Sequence, residues 1–301
     1  MKQLIVIAGP TAVGKTELSV RLAKHYNCPV VSADSRQFYK EMSIGTAKPT
    51  LEEMQGVTHY FIDNISIHQP YNIGEYEKEA IRCIEKLFET HSHVILVGGS
   101  GLYIQAVLNG VDEFEAIPKE IRENLTQQYQ EKGLIFLQEE LKQRDEVYYN
   151  QVDLKNPQRL MRALEVCIHH QKPYSGFRTQ SKKIRSFDAI LLLVNMDRDA
   201  LYSKINKRVD IMMANGLLDE VKSLYPYKDN NALNTVGYKE LFSFLDEKTT
   251  LEEAVSMIKQ NTRNYAKRQL TWFKNQSDFE SVEPGDVEKI KAFIDIISQY
   301  S

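Results

Sequence analysis

No apolar run in this chain approaches the roughly 20 residues that a bilayer-spanning helix requires, which leaves no candidate for a transmembrane helix. Cysteine is scarce: Cys28, Cys83 and Cys167 are three in number and far apart. An odd, scattered set builds neither a disulfide framework nor a zinc site, and it suits a reducing cytoplasm. The chain has no internal repeat and no low-complexity tract. The opening stretch, residues 1–8, is too short for a secretory leader and runs straight into a glycine-rich loop, so it reads as a first buried strand. Tryptophan occurs once, and Trp272, with Phe273 and Leu270, reads as core more readily than as a stacking platform. His59, His169 and His170 lack metal-ligand spacing and read as polar surface or core residues.

What is present is an ordinary globular composition over 301 residues, with a formal charge of only −3. That length fits one large domain or a domain with an insertion. The small net charge argues weakly against a nucleic-acid partner, but it averages over a strong asymmetry. Residues 112–146 hold ten acidic and five basic side chains. Residues 155–185 hold eight basic side chains (Lys155, Arg159, Arg162, Lys172, Arg178, Lys182, Lys183 and Arg185) against one acid, Glu165. A second block, 259–274, carries Lys259, Arg263, Lys267, Arg268 and Lys274 and no acid. Local basic faces on a mildly acidic protein can serve a polyanion; solvated helix faces are the other reading.

The first third alternates apolar runs with helical periodicity: strands at 4–8, 29–33 and 93–97, helices at 15–26, 75–90 and 102–108. Val- and Ile-rich strands that end in glycine and are separated by helices indicate a parallel α/β sheet, with ligands beyond the carboxyl ends of the strands. From 118 to 171 the periodicity is almost wholly helical, and a buried strand returns at 189–194. The expected organisation is therefore a P-loop NTPase-like α/β core, 1–116 and 188–301, holding a helical insertion at 117–187. Helices at 198–215, 217–224, 236–245, 251–275 and 292–299 complete it.

Gly9, Pro10, Thr11, Ala12, Val13, Gly14, Lys15 and Thr16 satisfy G-x-x-x-x-G-K-[ST] between a strand and a helix. Such a loop turns backbone N–H groups toward an anion at a helix N-terminus. Lys15 adds a point charge for the phosphates, and the Thr16 hydroxyl is placed for Mg²⁺. The motif specifies a diphosphate or polyphosphate, not a reaction. Asp34 follows the second strand, so its carboxylate emerges at the same sheet edge. It can bind Mg²⁺, act as a general base or cap a turn, and its neighbours Arg36 and Gln37 are good base-edge hydrogen bonders. The run 98–103, GGSGLY, permits close backbone approach, and Ser100 there can cap a helix or donate to a ligand. The loop 45–49, GTAKP, reads either way. Arg208 can neutralise leaving-group charge or lie on the surface.

Taken together these segments closely resemble the bacterial tRNA dimethylallyltransferases. The matching text is GPTAVGKT at 9–16, DSRQFY at 34–39, GTAKP at 45–49 and GGSGLY at 98–103. It continues with NPQRLMRALE at 156–165, TVGYKE at 235–240 and TRNYAKRQLTWFK at 262–274. Ser100 departs from the family's usual Thr but keeps the hydroxyl. Between 112 and 150 only Arg122 is matched.

The resemblance implies transfer of a dimethylallyl group from its diphosphate to N6 of the adenosine 3′ of the anticodon (adenosine-37), in tRNAs reading codons that begin with U. It implies Mg²⁺ as cofactor, with Thr16 as its ligand, and a cytoplasmic enzyme that needs no protein partner and no membrane. Asp34, Thr16, Lys15 and Arg208 would be the catalytic set, with the loop 9–16 holding diphosphate. Asp34, Ser35, Arg36, Gln37, Ser100 and Arg122 would contact tRNA, as would Gln158, Arg159, Leu160, Met161 and Arg162. On this reading Arg159, Arg162, Lys182 and Lys183 meet tRNA phosphates. A P-loop kinase would use the same loop but leave both basic blocks idle. A prenyltransferase acting on free adenine nucleotides would not require the basic insertion, and a non-catalytic RNA-binding protein would not require Lys15, Thr16 and Asp34 together.

Overall fold

The computed structural model describes residues 2–112, 117–178, 182–276 and 278–300. The chain divides into two compact units: residues 1–110 with 183–301, and 111–182.

The first unit is built on β1 (Gln3–Ala8), whose six residues are all buried. A strand with both faces covered must be apolar on both, and here the alternation assigns each residue a side. Leu4, Val6 and Ala8 join one hydrophobic cluster, while Ile5 and Ile7 join another on the opposite face. The sheet contains β1, β2 (Val30–Ser32), β3 (His59–Tyr60), β4 (His93–Gly98), β5 (Asp188–Val194) and β6 (Glu280–Val282) in the order β3-β2-β4-β1-β5-β6. Every pairing is parallel. Ile5 stands between Ile95 of β4 and Ile190 of β5, so the loops after β1, β2 and β4 open at one edge.

Helices cover both faces. Among them are α1 (Lys15–Tyr26), the short α2 (Leu51–Met54), α3 (Ile73–Leu87) and α4 (Gly101–Asn109). In the second unit α5 (Lys119–Lys132), α6 (Leu134–Arg144), α7 (Glu146–Tyr149) and α8 (Pro157–His170) close on their own cluster of Leu125, Leu137, Leu141, Leu160, Met161 and Leu164. The first unit then continues with α9 (Arg198–Ala214), α10 (Leu217–Leu224), α11 (Tyr238–Leu245), α12 (Leu251–Lys274) and α13 (Val287–Tyr300).

The differences from the sequence reading have local causes. Helix α3 starts at Ile73 because Asn72 accepts from the N–H groups of Gly74 and Glu75, and Glu75 returns a bond to Asn72 N. This reciprocal cap outweighs the two residues without strong periodicity. The edge strands β3 and β6 have two and three residues with no apolar run, which leaves period-two reading nothing to detect. Both chain crossings of the helical unit come earlier than 117 and 187. Of the N-terminal boundary, residues 113–116 lie outside the described set. At the other crossing Lys183 N donates to Asn109 O at 2.9 Å. Lys183 Nζ and Arg185 Nη2 pair with the buried Glu77 of α3 at 3.1 and 2.9 Å, and Phe187 packs beside Phe88. Residues 183–187 therefore belong to the α/β unit, and Lys183, expected at tRNA phosphates, is committed to Glu77.

Candidate active site

The loop after β1 turns on Gly9, whose φ is 154°. A Cβ there would stand 2.6 Å from the Val194 carbonyl oxygen, so the loop can leave the sheet beside β5 only at glycine. Lys15 and Thr16 then open α1 with the helix N-terminus behind them. Lys15 Nζ donates to Pro10 O at 2.6 Å. Part of the Lys15 surface remains open, yet the surrounding atoms strip water from the ammonium. Desolvation lowers its pKa to about 8, with Asp34 acting against the shift and Arg208 with it. The Thr16 hydroxyl makes no hydrogen bond among the described residues, and only its carbonyl is used, by Ser19 Oγ.

Asp34 stands in the turn after β2, where its Oδ1 accepts from Arg36 N at 3.0 Å and its Oδ2 has no partner among the described residues. One oxygen is fixed and the other is free. Arg208, on α9, reaches the same place: its Nη1 lies 3.4 Å from Thr11 Oγ1. Burial pulls its pKa below the usual value, opposed by Asp34 and Glu53. Arg208 is therefore a half-buried residue of the cavity wall. These groups line a cavity of about 730 Å³ with Lys15 and Thr16 at its cationic wall. The rest of the wall mixes an apolar stretch of Ile205, Val209, Met212, Leu217, Met257 and Ile258 with polar residues such as Asn234, Lys239, Glu240, Asn261 and Arg268.

The other residues singled out from sequence divide by what their side chains do. Ser100 occupies the N-cap position of α4 without capping it; its hydroxyl accepts from Ser35 N and donates to Ser35 Oγ, both at 3.2 Å. Arg36 directs its guanidinium to the carbonyls of Asn231 and Ala232 at 3.2 and 2.9 Å. Gln37 donates its amide to Ala47 O at 3.1 Å. Both carry loop-bracing bonds as well as lining the cavity. In the 45–49 loop Lys48 is buried and paired with Asp63, so its charge serves the loop.

In the helical unit Arg122 and Arg162 share the buried carboxylate of Glu165, at 2.6 and 3.2 Å, and Arg122 also bonds Gln158. Arg159 is exposed, and its side chain has no partner among the described residues. Leu160 and Met161 lie in the core of this unit. Of 158–162, the polar groups at the surface are those of Gln158, Arg159 and Arg162. His169 and His170 meet edge to face, and His59 bonds Val57 O at 2.9 Å. No described group of three or more His, Cys, Asp or Glu residues could hold a metal. Phe273 is core, as expected.

Two residues escaped sequence reasoning. Gln269 of α12 is buried, accepts from Thr11 N at 3.0 Å and donates to Gly99 O at 2.8 Å. Glu220 of α10 accepts from three consecutive amides, Ser43, Ile44 and Gly45, at 3.0, 2.8 and 2.9 Å, and from Tyr238 Oη at 2.6 Å. It thereby holds the loop whose Gly45, Thr46 and Ala47 line the cavity. Glu220→Gln turns one acceptor oxygen into an N–H donor facing other donors. The expected cost is about 1–3 kcal/mol of stability, measured by denaturant unfolding; an unchanged midpoint and slope would remove the clamp from the account.

A parallel sheet of this order with a G-x-x-x-x-G-K-T loop at its open edge defines an enzyme of the P-loop NTPase-like class. Residues 37–276 match the family model described as IPP transferase, and the chain belongs to that family. It is 52% identical over 280 residues to a tRNA dimethylallyltransferase of Christiangramia forsetii, covering 93% of each chain. It is 53% identical over 284 residues to the enzyme of the same name from Flavobacterium johnsoniae, covering 92% of each. Among solved structures it is similar to a tRNA isopentenylpyrophosphate transferase of Bacillus halodurans. That match has 36% identity and a TM-score of 0.73, covering 99% of this chain and 96% of that one. A eukaryotic dimethylallyltransferase acting on tRNA superposes with a TM-score of 0.80 at 27% identity, covering 96% of this chain and 75% of that one.

Proposed function

We propose that the protein transfers a dimethylallyl group from dimethylallyl diphosphate to N6 of the adenosine 3′ of the tRNA anticodon, adenosine-37, in tRNAs reading codons that begin with U. Diphosphate is released. The observation that carries this reading is the single cavity in which Lys15, Thr16 and Arg208 face Asp34 beside an apolar wall. The cationic end suits a diphosphate, and the apolar surface suits a five-carbon allylic chain. As the C–O bond to diphosphate breaks, negative charge builds on the leaving oxygen. Lys15 and Arg208 are placed to stabilise it. Asp34 Oδ2 accepts a proton as the exocyclic amine attacks the allylic carbon, which an otherwise poor nucleophile needs. The adenine leaves its stack to enter the cavity.

The donor set fits Mg²⁺. A hydroxyl without another partner stands beside the phosphate loop, and Mg²⁺ is commonly held by few protein groups together with substrate phosphates and water. Thr16 would hold the ion, which would supply further positive charge to the diphosphate. The described residues contain no helix long and apolar enough to cross a membrane. A cytoplasmic enzyme working without a protein partner is the setting this reading assigns.

Incubating the protein with labelled dimethylallyl diphosphate, Mg²⁺ and unmodified tRNA tests it. Nuclease digestion should place the label on the adenosine 3′ of the anticodon with no consumption of ATP. Label elsewhere, or transfer coupled to ATP, rejects the reading.

For the RNA, exposed Arg159 is the clearest phosphate ligand of the helical unit. Arg159→Ala should flatten the log–log dependence of tRNA affinity on salt by roughly 0.7–0.9. Arg162, half neutralised by Glu165, should add less. KM for tRNA should rise while KM for dimethylallyl diphosphate stays close to its starting value. An unchanged slope in a folded variant assigns Arg159 to the solvated surface.

A further inference from the structure

Gln269 touches both halves of the cavity. On one side its carboxamide oxygen takes the Thr11 N–H, inside the phosphate loop, at 3.0 Å. On the other its Nε2 donates to Gly99 O at 2.8 Å. Gly99 is followed directly by Ser100, whose hydroxyl holds Ser35 N and Ser35 Oγ at 3.2 Å, next to Asp34. A short chain of bonds therefore runs from the phosphate loop through Gln269, Gly99, Ser100 and Ser35 to the Asp34 turn. Space agrees with bonding: a Cβ on Gly99 would come within 2.3 Å of Gln269 Nε2, so the turn after β4 is cut to admit this side chain. Burying a carboxamide is costly unless its polar atoms are bonded, and both are. Nothing in the packing of α12 requires it, since the buried neighbours on that helix, Ile258, Ala266 and Phe273, are apolar.

We infer that Gln269 is a positioning residue that sets the separation between the diphosphate loop and the Asp34 carboxylate. It touches no reacting atom. Its effect is on register: the carbon leaving diphosphate and the amine losing its proton to Asp34 must be aligned at once. A misplacement of about 1 Å can cost roughly 10²-fold.

This rests on the dimethylallyl-transfer reading, and the experiment separates the two. Transfer is first measured with the unaltered protein; failure there condemns the reading itself. Gln269→Ala is then compared alone and together with Asp34→Asn, with folding checked by circular dichroism and thermal unfolding. Gln269→Ala should lower kcat roughly 10–100-fold, with KM for each substrate changed by no more than about threefold, because each half of the cavity still forms. In the Asp34→Asn background the same change should cost little further, since there is no longer a base to align. Gln269→Glu keeps the acceptor for Thr11 N but sets a carboxylate oxygen against Gly99 O, and it should repeat the pattern if the alanine variant folds poorly. Unchanged kcat in either folded variant overturns the inference. So does a double variant whose losses multiply, the mark of a purely structural side chain.

Discussion

Replacing Asp34 by Asn should lower kcat roughly 10²–10⁴-fold while leaving tRNA affinity near its starting value. Asparagine can still accept the Arg36 N–H that fixes Oδ1, so the turn keeps its shape. The change falls on Oδ2, the oxygen without a partner among the described residues, which becomes an NH2 group unable to take a proton. If Asp34 serves only to hold the turn or the RNA, the loss appears in tRNA binding with kcat intact. Measuring kcat at saturation and tRNA affinity separately decides between them.

Lys15→Ala and Thr16→Ala should each reduce turnover by roughly tens- to thousands-fold, because both act on charge that builds as diphosphate departs. The Lys15 effect carries a pH signature. With its pKa at about 8 in the unliganded protein, the ammonium is present below that pH and lost above it. Bound diphosphate favours the charged form. Affinity for dimethylallyl diphosphate should therefore weaken as pH rises through about 8, with proton uptake on binding in that range. The variant Lys15→Ala should lack this dependence. Near-normal turnover of either variant at saturating Mg²⁺ would falsify the leaving-group role.

The diphosphate loop and Asp34 were legible in the sequence because they follow neighbouring strands of the chain. Gly9 to Thr16 form one loop, and Asp34 follows the next strand, so a parallel sheet alone brings them together. Gln269 and Glu220 were hidden for the opposite reason. Gln269 meets Thr11 across 258 residues of chain, and Glu220 meets Gly45 across 175. Neither lies in a motif whose chemistry names a partner. One signal was available: Gln269 falls in step with Ile258, Ala266 and Phe273 on the inward face of α12, where a polar side chain must have a bonding partner. Glu165 of α8 sits among apolar neighbours in the same way and gathers Arg122 and Arg162. Charge counting marked Arg162, and the family resemblance marked Arg122, as contacts for RNA, but neither can see a carboxylate shared beneath them. Leu160 and Met161 show the same limit: matching text identifies a segment, and only packing tells which of its side chains face out.

The hydrogen bond from Lys183 N to Asn109 O bears on how such a protein can be remodelled. It ties the point where the chain leaves the α/β unit to the point where it returns, and Glu77 locks the returning segment through Lys183 and Arg185. An excursion that starts and ends at adjoining positions costs its host little, since closure entropy grows only slowly with the length between. The helical unit has its own hydrophobic core. It is built as a cassette: all six strands, the diphosphate loop, Asp34 and Gln269 lie outside 111–182, and excising that segment with a short bridge from 110 to 183 should leave a folded α/β unit, as read by circular dichroism and cooperative thermal unfolding.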